Sequence, residues 1–191
     1  MKLILASSSP YRRELLKRLG LAFETSSPNV DETRLPGETP KQLVRRLAEV
    51  KAREVSKEYP RALIIGSDQV AVLGDRILGK PKNHSEAMQQ LTAACGRRVS
   101  FITGLCLYNS DNSHCHVDVV PYTVEFRALN AVQIENYLKR EQPYDCAGSF
   151  KSEGLGISLF RRMEGDDPTA LIGLPLIRLI DMLAMEGINV L

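Results

Sequence analysis

Apolar positions in this chain fall into short runs and helical stripes that alternate along its length. Residues 2–6 form an apolar run that predicts a buried strand. Ser9 and Pro10 then suit an N-cap and a first helical position. Leu15, Leu16 and Leu19 give that helix an apolar face, and Gly20 ends it. Residues 21–25 predict a second strand, and the polar stretch 26–38, with two prolines and a glycine, predicts a loop. Thr39 with Gln42 makes a capping-box start, and Leu43, Leu47, Val50 and Val55 follow helical period to about Lys57. Residues 62–73 are the most apolar strand candidate, interrupted by Gly66-Ser67-Asp68-Gln69. Gly74-Asp75 predicts a hairpin turn into residues 76–78.

The second half continues the alternation. Asn83 with Glu86 starts a helix that runs to about Cys95 and is closed by Gly96. Residues 97–108 and 116–127 predict two long strands joined by the polar turn 109–113. Asn130 with Gln133 opens a helix ending near Arg140, and residues 143–156 read as a loop. Residues 157–160 predict a strand, 165–168 a turn, and Pro175 opens a final amphipathic helix through Met185. No repeat of solenoid period is present. Interspersed strands and helices with an antiparallel hairpin predict an α/β or α+β chain with a mixed sheet.

Composition narrows the class without changing it. The 191 residues suit one domain over 1–191, or two small lobes sharing a cleft. With 43% hydrophobic and 25% charged residues, a disordered or low-complexity chain is ruled out. Lys and Arg total 25 against 23 Asp and Glu, and a net charge of +2 is too small to imply nucleic-acid or membrane binding. The N-terminal apolar run is too short for a signal peptide, and no apolar stretch nears the ~20 residues of a membrane span. The four cysteines contain no C-x-x-C pair and read as reduced thiols of a cytoplasmic protein. His114-Cys115-His116 is a poor metal site, because adjacent strand residues point to opposite faces.

Two segments stand out chemically. In Ser7-Ser8-Ser9-Pro10-Tyr11-Arg12-Arg13 a serine-rich turn feeds a helix N-terminus that carries two arginines. Cations are unfavourable at that end of a helix, and a bound anion would reverse the penalty, with hydroxyls and N–H groups donating to it. The bland alternative is two solvated arginines. In Gly66-Ser67-Asp68-Gln69 a carboxylate sits amid Leu63, Ile64, Ile65, Val70, Ala71 and Val72, where it is costly to bury unless paired or bound to metal. The alternative there is a strand that ends at Gly66 and leaves Asp68 in solvent. Asp31, Glu32, Lys51 and Lys80 are scattered charges that matter only if the fold gathers them. The late stretch Ala147-Gly148-Ser149-Phe150-Lys151-Ser152-Glu153-Gly154-Leu155-Gly156, with three glycines and two serines, suits a loop that closes on a ligand.

In this order the pieces resemble the Maf family of nucleoside triphosphate pyrophosphatases, over essentially the whole chain. The matching elements are residues 5–13, Asp31-Glu32, Leu47-Ala48 with Lys51-Ala52, Ser67-Asp68-Gln69, Gly79-Lys80-Pro81, Ala147-Gly148-Ser149 and Gly173-Leu174-Pro175-Leu176. The resemblance implies a mixed twisted sheet with flanking helices in two lobes around a central cleft, a homodimer, and Mg²⁺- or Mn²⁺-dependent cleavage between the α and β phosphates. It implies that Ser8, Arg12, Arg13, Lys51 and Lys80 surround the triphosphate, that Glu32 is an acidic site residue, and that Asp68 is the proton acceptor. Tyr11, Gln69 and Glu153 look like the branch that hydrolyses 7-methyl-GTP rather than dTTP or UTP. An aromatic face attracts a cationic ring, and a carboxylate matches the two donors of the guanine edge. A non-catalytic nucleotide-binding regulator on the same fold is the competing reading, and Asp68 argues against it, since a carboxylate beside phosphates aids no anion binding.

Overall fold

Strand β1 (Lys2–Ala6) leads into helix α1 (Pro10–Lys17) through the turn the sequence marks. Ser9 is the N-cap, its hydroxyl accepting from the Arg12 N–H at 3.4 Å, and Pro10 opens the helix. The computed structural model describes all residues, Met1–Leu191. Strand β2 (Glu24–Ser26) follows, then helix α2 (Pro40–Ser56), β3 (Ala62–Leu73), β4 (Arg76–Leu78) and helix α3 (His84–Ala94). The hairpin of β5 (Arg98–Asn109) and β6 (Cys115–Phe126), helix α4 (Ala131–Glu141), β7 (Phe160–Glu164), α5 (Pro168–Ile172) and α6 (Leu176–Met185) complete the chain. Thr39 and Asn130 each form a reciprocal capping box with Gln42 and Gln133, satisfying N–H groups that the first helical turn leaves unpaired.

The strands hydrogen-bond in the order β2-β1-β3-β5-β6-β7, with β4 beside β3. β1 runs parallel to β2 and β3, whereas β4 on β3 and β7 on β6 are antiparallel, so the sheet is mixed. The chain divides into two compact units: residues 1–69, 102–120 and 167–191, and residues 70–101 and 121–166. The first unit has an apolar layer on each face of β1 and β3. One joins Leu3, Leu5, Leu63 and Ile65 to Leu15 and Leu16 of α1 and Leu179, Met182 and Leu183 of α6. The other joins Ile4, Ala6 and Ile64 to Ala48, Ala52 and Val55 of α2. The second unit centres on Phe101, Phe126, Phe150 and Phe160, which meet edge to face with centroids 4.8–5.9 Å apart.

Four local expectations change. β2 forms at Glu24–Ser26 rather than 21–25, because Leu21 and Phe23 turn towards the apolar layer under α1 and α6. The strand expected at 157–160 starts only at Phe160. Leu155–Leu159 make a 3-10 turn that leaves Ile157 exposed: the segment alternates as a strand would, but the Gly156 N–H donates to the Lys151 carbonyl at 3.0 Å and the Ser158 hydroxyl to the Leu155 carbonyl at 2.7 Å, which wind it locally. The turn 165–168 instead opens α5: Asp167 caps it, Pro168 is its first residue and Gly173 closes it at φ 116°. Finally, β3 is not interrupted at 66–69, and Ser67 and Asp68 are buried within it.

Two glycines explain how α2 lies on the sheet. A Cβ on Gly66 of β3 would stand 2.0 Å from the Ala48 carbonyl oxygen, and one on Gly104 of β5 would stand 2.1 Å from that of Val44. Both clashes are with backbone, which cannot rotate away. Gly66→Ala should therefore lower unfolding stability by about 1–3 kcal/mol or more, as overpacking does. Gly79→Ala, with nothing within 4 Å, should be close to neutral. Urea denaturation of the two variants measures the difference, and equal midpoints would contradict the close approach.

Candidate active site

Strand alternation turns Gly66 and Asp68 towards α2 and turns Ser67 and Gln69 to the opposite face. On α2, Ala48, Lys51 and Ala52 share the stripe facing β3, because residues three and four apart lie on one helix face. With backbones pressed together at Gly66, the next residue on that face of β3 meets the next on that face of α2. Lys51 Nζ lies 2.7 Å from Asp68 Oδ1 and 2.7 Å from Glu32 Oε1. The Lys51 and Asp68 side chains keep 8% and 10% of their exposure, while Glu32 keeps 60%. Asp68 is thus a buried carboxylate held against a buried ammonium.

Burial pushes the Asp68 carboxyl above its ordinary value; the Lys51 charge and hydrogen bond and the Arg12 charge oppose that rise, and Glu32 adds to it. Arg12, four residues into the turn from Ser8, is partly buried. It donates from Nε to the Gly173 carbonyl at 2.8 Å and from Nη1 to the Ser67 carbonyl at 2.9 Å. Burial lowers the proton affinity of its guanidinium, and Asp68 and Glu32 restore part of it. Ser8 and Arg13 are exposed beside it at the start of α1, and Tyr11 is partly buried.

Glu32 belongs to a loop that is fixed from α2. Arg46 grips Glu38 with two hydrogen bonds of 2.7 and 2.8 Å and reaches the Thr33 carbonyl at 3.1 Å, while Arg34 donates to the Glu38 carbonyl. Arg46 holds the Glu38 carboxyl at about 2. A carboxyl depressed in the folded state stabilises it above the ordinary value, and that contribution is lost as pH falls through about 2. Asp31, one residue from Glu32, is turned to its own loop, accepting from the Thr33 N–H at 2.9 Å.

Gln69 is bound on the far face of β3. Its Nε2 donates to Thr103 Oγ1 at 2.9 Å, to the Ala170 carbonyl at 2.7 Å and to the Leu171 carbonyl at 3.2 Å, which leaves Oε1 as its acceptor. Ser67 Oγ donates to the carbonyls of Gly104 and Gly173. Ser67 and Gly173, both within the matching motifs, and Thr103, which the sequence does not mark, therefore carry the site's backing, and Asp167 caps the helix α5 whose carbonyls hold Gln69. Thr103 and Asp167 do not stand out from ordinary polar residues in sequence; only the burial of the threonine and the capping of an Asp-Pro pair reveal them.

The second unit holds Lys80 and Glu153, both exposed. The Gly79 carbonyl next to Lys80 accepts from the Gly148 N–H at 3.4 Å and from Gln90 Nε2 at 3.2 Å. Gly148 and Ser149 are buried with φ of 74° and 65°, and Ser149 Oγ donates to Gln90 Oε1 at 2.6 Å. A left-handed serine is uncommon and is held here by its neighbours. Glu153 follows in a loop anchored by the Leu155 N–H on Glu141 Oε2 at 2.8 Å and the Lys151 N–H on Tyr137 Oη at 3.1 Å.

Glu32 and Asp68 converge on one cationic atom, which is the arrangement that also suits a hard divalent ion. No third His, Cys, Asp or Glu joins them in a closed cage, so such an ion would take its remaining ligands from water and from a substrate, as Mg²⁺ commonly does. The electrostatics are testable directly. Lys51→Met should raise the Asp68 pKa further, because it removes the neighbouring positive charge that most strongly opposes the effect of burial. Carbon-13 titration of the Asp68 carboxyl should show its midpoint moving to higher pH; an unmoved or lowered midpoint would show that Lys51 does not govern it.

The model of the family described as Maf-like protein matches residues 2–186. A protein of Pseudomonas fluorescens named 7-methyl-GTP pyrophosphatase is 60% identical over 190 residues, covering 100% of this chain and 99% of that one. Proteins of the same name from Pseudomonas syringae and Nitrosococcus oceani are 62% and 61% identical, covering 98% and 99% of this chain and 98% and 95% of theirs. Among solved structures, that of the Staphylococcus aureus Ham1 protein has a TM-score of 0.46 at 13% identity, covering 67% of this chain and 73% of that one. No helix is long and apolar enough to cross a membrane. With a match that runs from the first strand to the end of the last helix, and relatives that align nearly end to end, the chain belongs to the Maf family.

Proposed function

We propose that this chain is a 7-methyl-GTP pyrophosphatase, hydrolysing the bond between the α and β phosphates to give 7-methyl-GMP and pyrophosphate. The buried Asp68 carboxylate carries the reading, together with the name shared by its near end-to-end relatives. A carboxylate kept in an apolar strand, with its proton affinity raised by burial, is a better base than one in water. Asp68 takes the proton of the attacking water on a carboxylate oxygen as that water adds to the α phosphorus. Lys51 opposes the rise in the Asp68 proton affinity that burial causes and balances charge that develops on the phosphates. Glu32, sharing Lys51, orients that ammonium.

Ser8 and Arg13 at the start of α1 offer donors to phosphate oxygens, and Lys80 adds a third cationic or polar group from its own loop. Arg12 already commits Nε and Nη1 to backbone, so it serves the phosphates through Nη2 while fixing the turn that bears Ser8. Glu32 and Asp68 would hold a Mg²⁺ or Mn²⁺ ion, which when bound would neutralise phosphate charge and polarise the scissile bond. For the base, Tyr11 supplies an aromatic face to the cationic 7-methylguanine ring, worth ~0.5–2 kcal/mol. Glu153 accepts from the N1–H and the exocyclic amine, and Gln69 sets its Oε1 as a further fixed acceptor.

Pyrophosphate release with Mg²⁺ or Mn²⁺ over 7-methyl-GTP, GTP, dTTP and UTP tests the assignment. The methylated nucleotide should be preferred; no release from any of them would favour a non-catalytic nucleotide binder, and a dTTP or UTP preference would remove the subfamily reading. Asp68→Asn should lower kcat more than tenfold, over about 1.4 kcal/mol in activation free energy, while leaving the far-ultraviolet spectrum unchanged. Glu153→Gln should cost about 1–3 kcal/mol in kcat/KM on 7-methyl-GTP, because the new amide presents a donor to an edge made of donors. Tyr11→Ala should erase most of the preference for the methylated ring. Equal losses on all nucleotides would show that this pair does not read the base.

A further inference from the structure

Cys106 and Cys115 lie on neighbouring strands of the β5–β6 hairpin with their sulfur atoms 3.7 Å apart. Cys106 is fully buried in the layer beneath α2, among Ile4, Ala48, Ala52 and Tyr108, and Cys115 is half-buried at its margin. One thiol is therefore reachable from solvent and the other waits directly behind it. The surroundings are polar on the solvent side only. Arg53 of α2 lies 4.7 Å over the Tyr108 ring and pairs with Glu49 at 2.7 Å. Tyr108 shares the strand face of Cys106 two residues away.

We propose that Cys106 and Cys115 form a peroxide-oxidisable dithiol, with Cys115 as the thiol attacked first and Cys106 as the resolving partner. The hydrogen bond from the Cys106 thiol holds Cys115 below the ordinary thiol value, and the Arg53 charge assists while burial and Glu49 oppose. The same hydrogen bond and burial push Cys106 up, so it keeps its proton. The chemistry balances. The Cys115 thiolate attacks one oxygen of a hydroperoxide, the O–O bond breaks, and sulfenic acid and hydroxide form. The Cys106 sulfur then attacks the Cys115 sulfur; the S–O bond breaks, the departing hydroxide takes the Cys106 proton, and water leaves. The hydroperoxide is reduced, and two thiols are oxidised to one disulfide. Closing the pair moves two sulfurs from 3.7 Å to bonding distance, about 2.05 Å, inside the layer on which α2 rests.

The sequence makes the test clean. Neither Lys nor Arg occurs between Arg98 and Arg127, so trypsin leaves both thiols in the single peptide 99–127, with Cys95 and Cys146 in separate ones. The whole protein is treated with limiting hydrogen peroxide, alkylated with iodoacetamide, and mapped. Peptide 99–127 should become two hydrogens lighter, lose both alkylation sites together, and regain them after dithiothreitol. Before oxidation, Cys115 should alkylate at least about tenfold faster than Cys106 at neutral pH. In Cys106→Ser, peroxide should leave a Cys115 sulfenic acid that dimedone captures. The wild-type map stands even if that variant folds poorly. Oxidation of Cys95 or Cys146 while peptide 99–127 stays doubly alkylated, or loss of Cys115 alone with Cys106 still alkylatable, overturns the pairing.

Discussion

The first unit depends on how closely a helix can approach a sheet. Ordinary side chains keep α2 and the strands apart by the width of a Cβ layer, but Gly66 and Gly104 remove that layer where α2 crosses β3 and β5. Backbone then lies on backbone. A lysine one helical turn beyond Ala48 comes within hydrogen-bonding distance of an aspartate two residues beyond Gly66. Had the helix stood further off, Lys51 could have reached water and Asp68 would have been buried without its cation, a state that costs several kcal/mol. The ion pair is thus a product of glycine placement as much as of charge.

That pair also sets the conflict a base must embody. Desolvation strengthens proton binding at Asp68, and Lys51 weakens it. The two effects act against each other on the same carboxyl. A solvated aspartate is a poor proton acceptor, and a buried one without a cation stays protonated. The two-to-one arrangement, in which Lys51 faces Asp68 and Glu32, divides its charge between an inner and an outer carboxylate. The Arg46–Glu38 grip matters here because it fixes the loop from which Glu32 reaches in.

Much of this is legible in the sequence where local rules decide. Ser9-Pro10, Thr39 with Gln42 and Asn130 with Gln133 announce helix starts, because capping is a contact between residues three apart. Asp68 is visible as a charge in an apolar run, but whether the strand ends at Gly66 or carries the charge inside is not. That choice is made by Lys51 and Glu32, which lie 17 and 36 positions away and offer no local sign. The grouping of Ser67, Thr103 and Gly173 around Arg12 and Gln69 is hidden for the same reason. The strand near 160 is misplaced by sequence pattern because the alternation Leu155-Gly156-Ile157-Ser158-Leu159 reads as a strand, whereas local hydrogen bonds of Gly156 and Ser158 wind it into a 3-10 turn. Tyr11, Lys80 and Glu153 are marked through resemblance and not through any pattern of their own.

Arg12 binds the carbonyls of Ser67 and Gly173, and Ser67 binds the Gly173 carbonyl as well. The first unit is accordingly a discontinuous body whose closing piece is residues 167–191, whereas residues 70–101 and 121–166 make up the second. During synthesis from the N-terminus, a chain extended to residue 166 already holds every residue of the second unit. It also holds Glu32, Lys51 and Asp68, but not the carbonyl on which Arg12 and Ser67 converge. The order of emergence from the ribosome therefore lets the inserted unit mature first and leaves the turn at Ser8 without its last anchor until Gly173, the residue that closes α5, has been made.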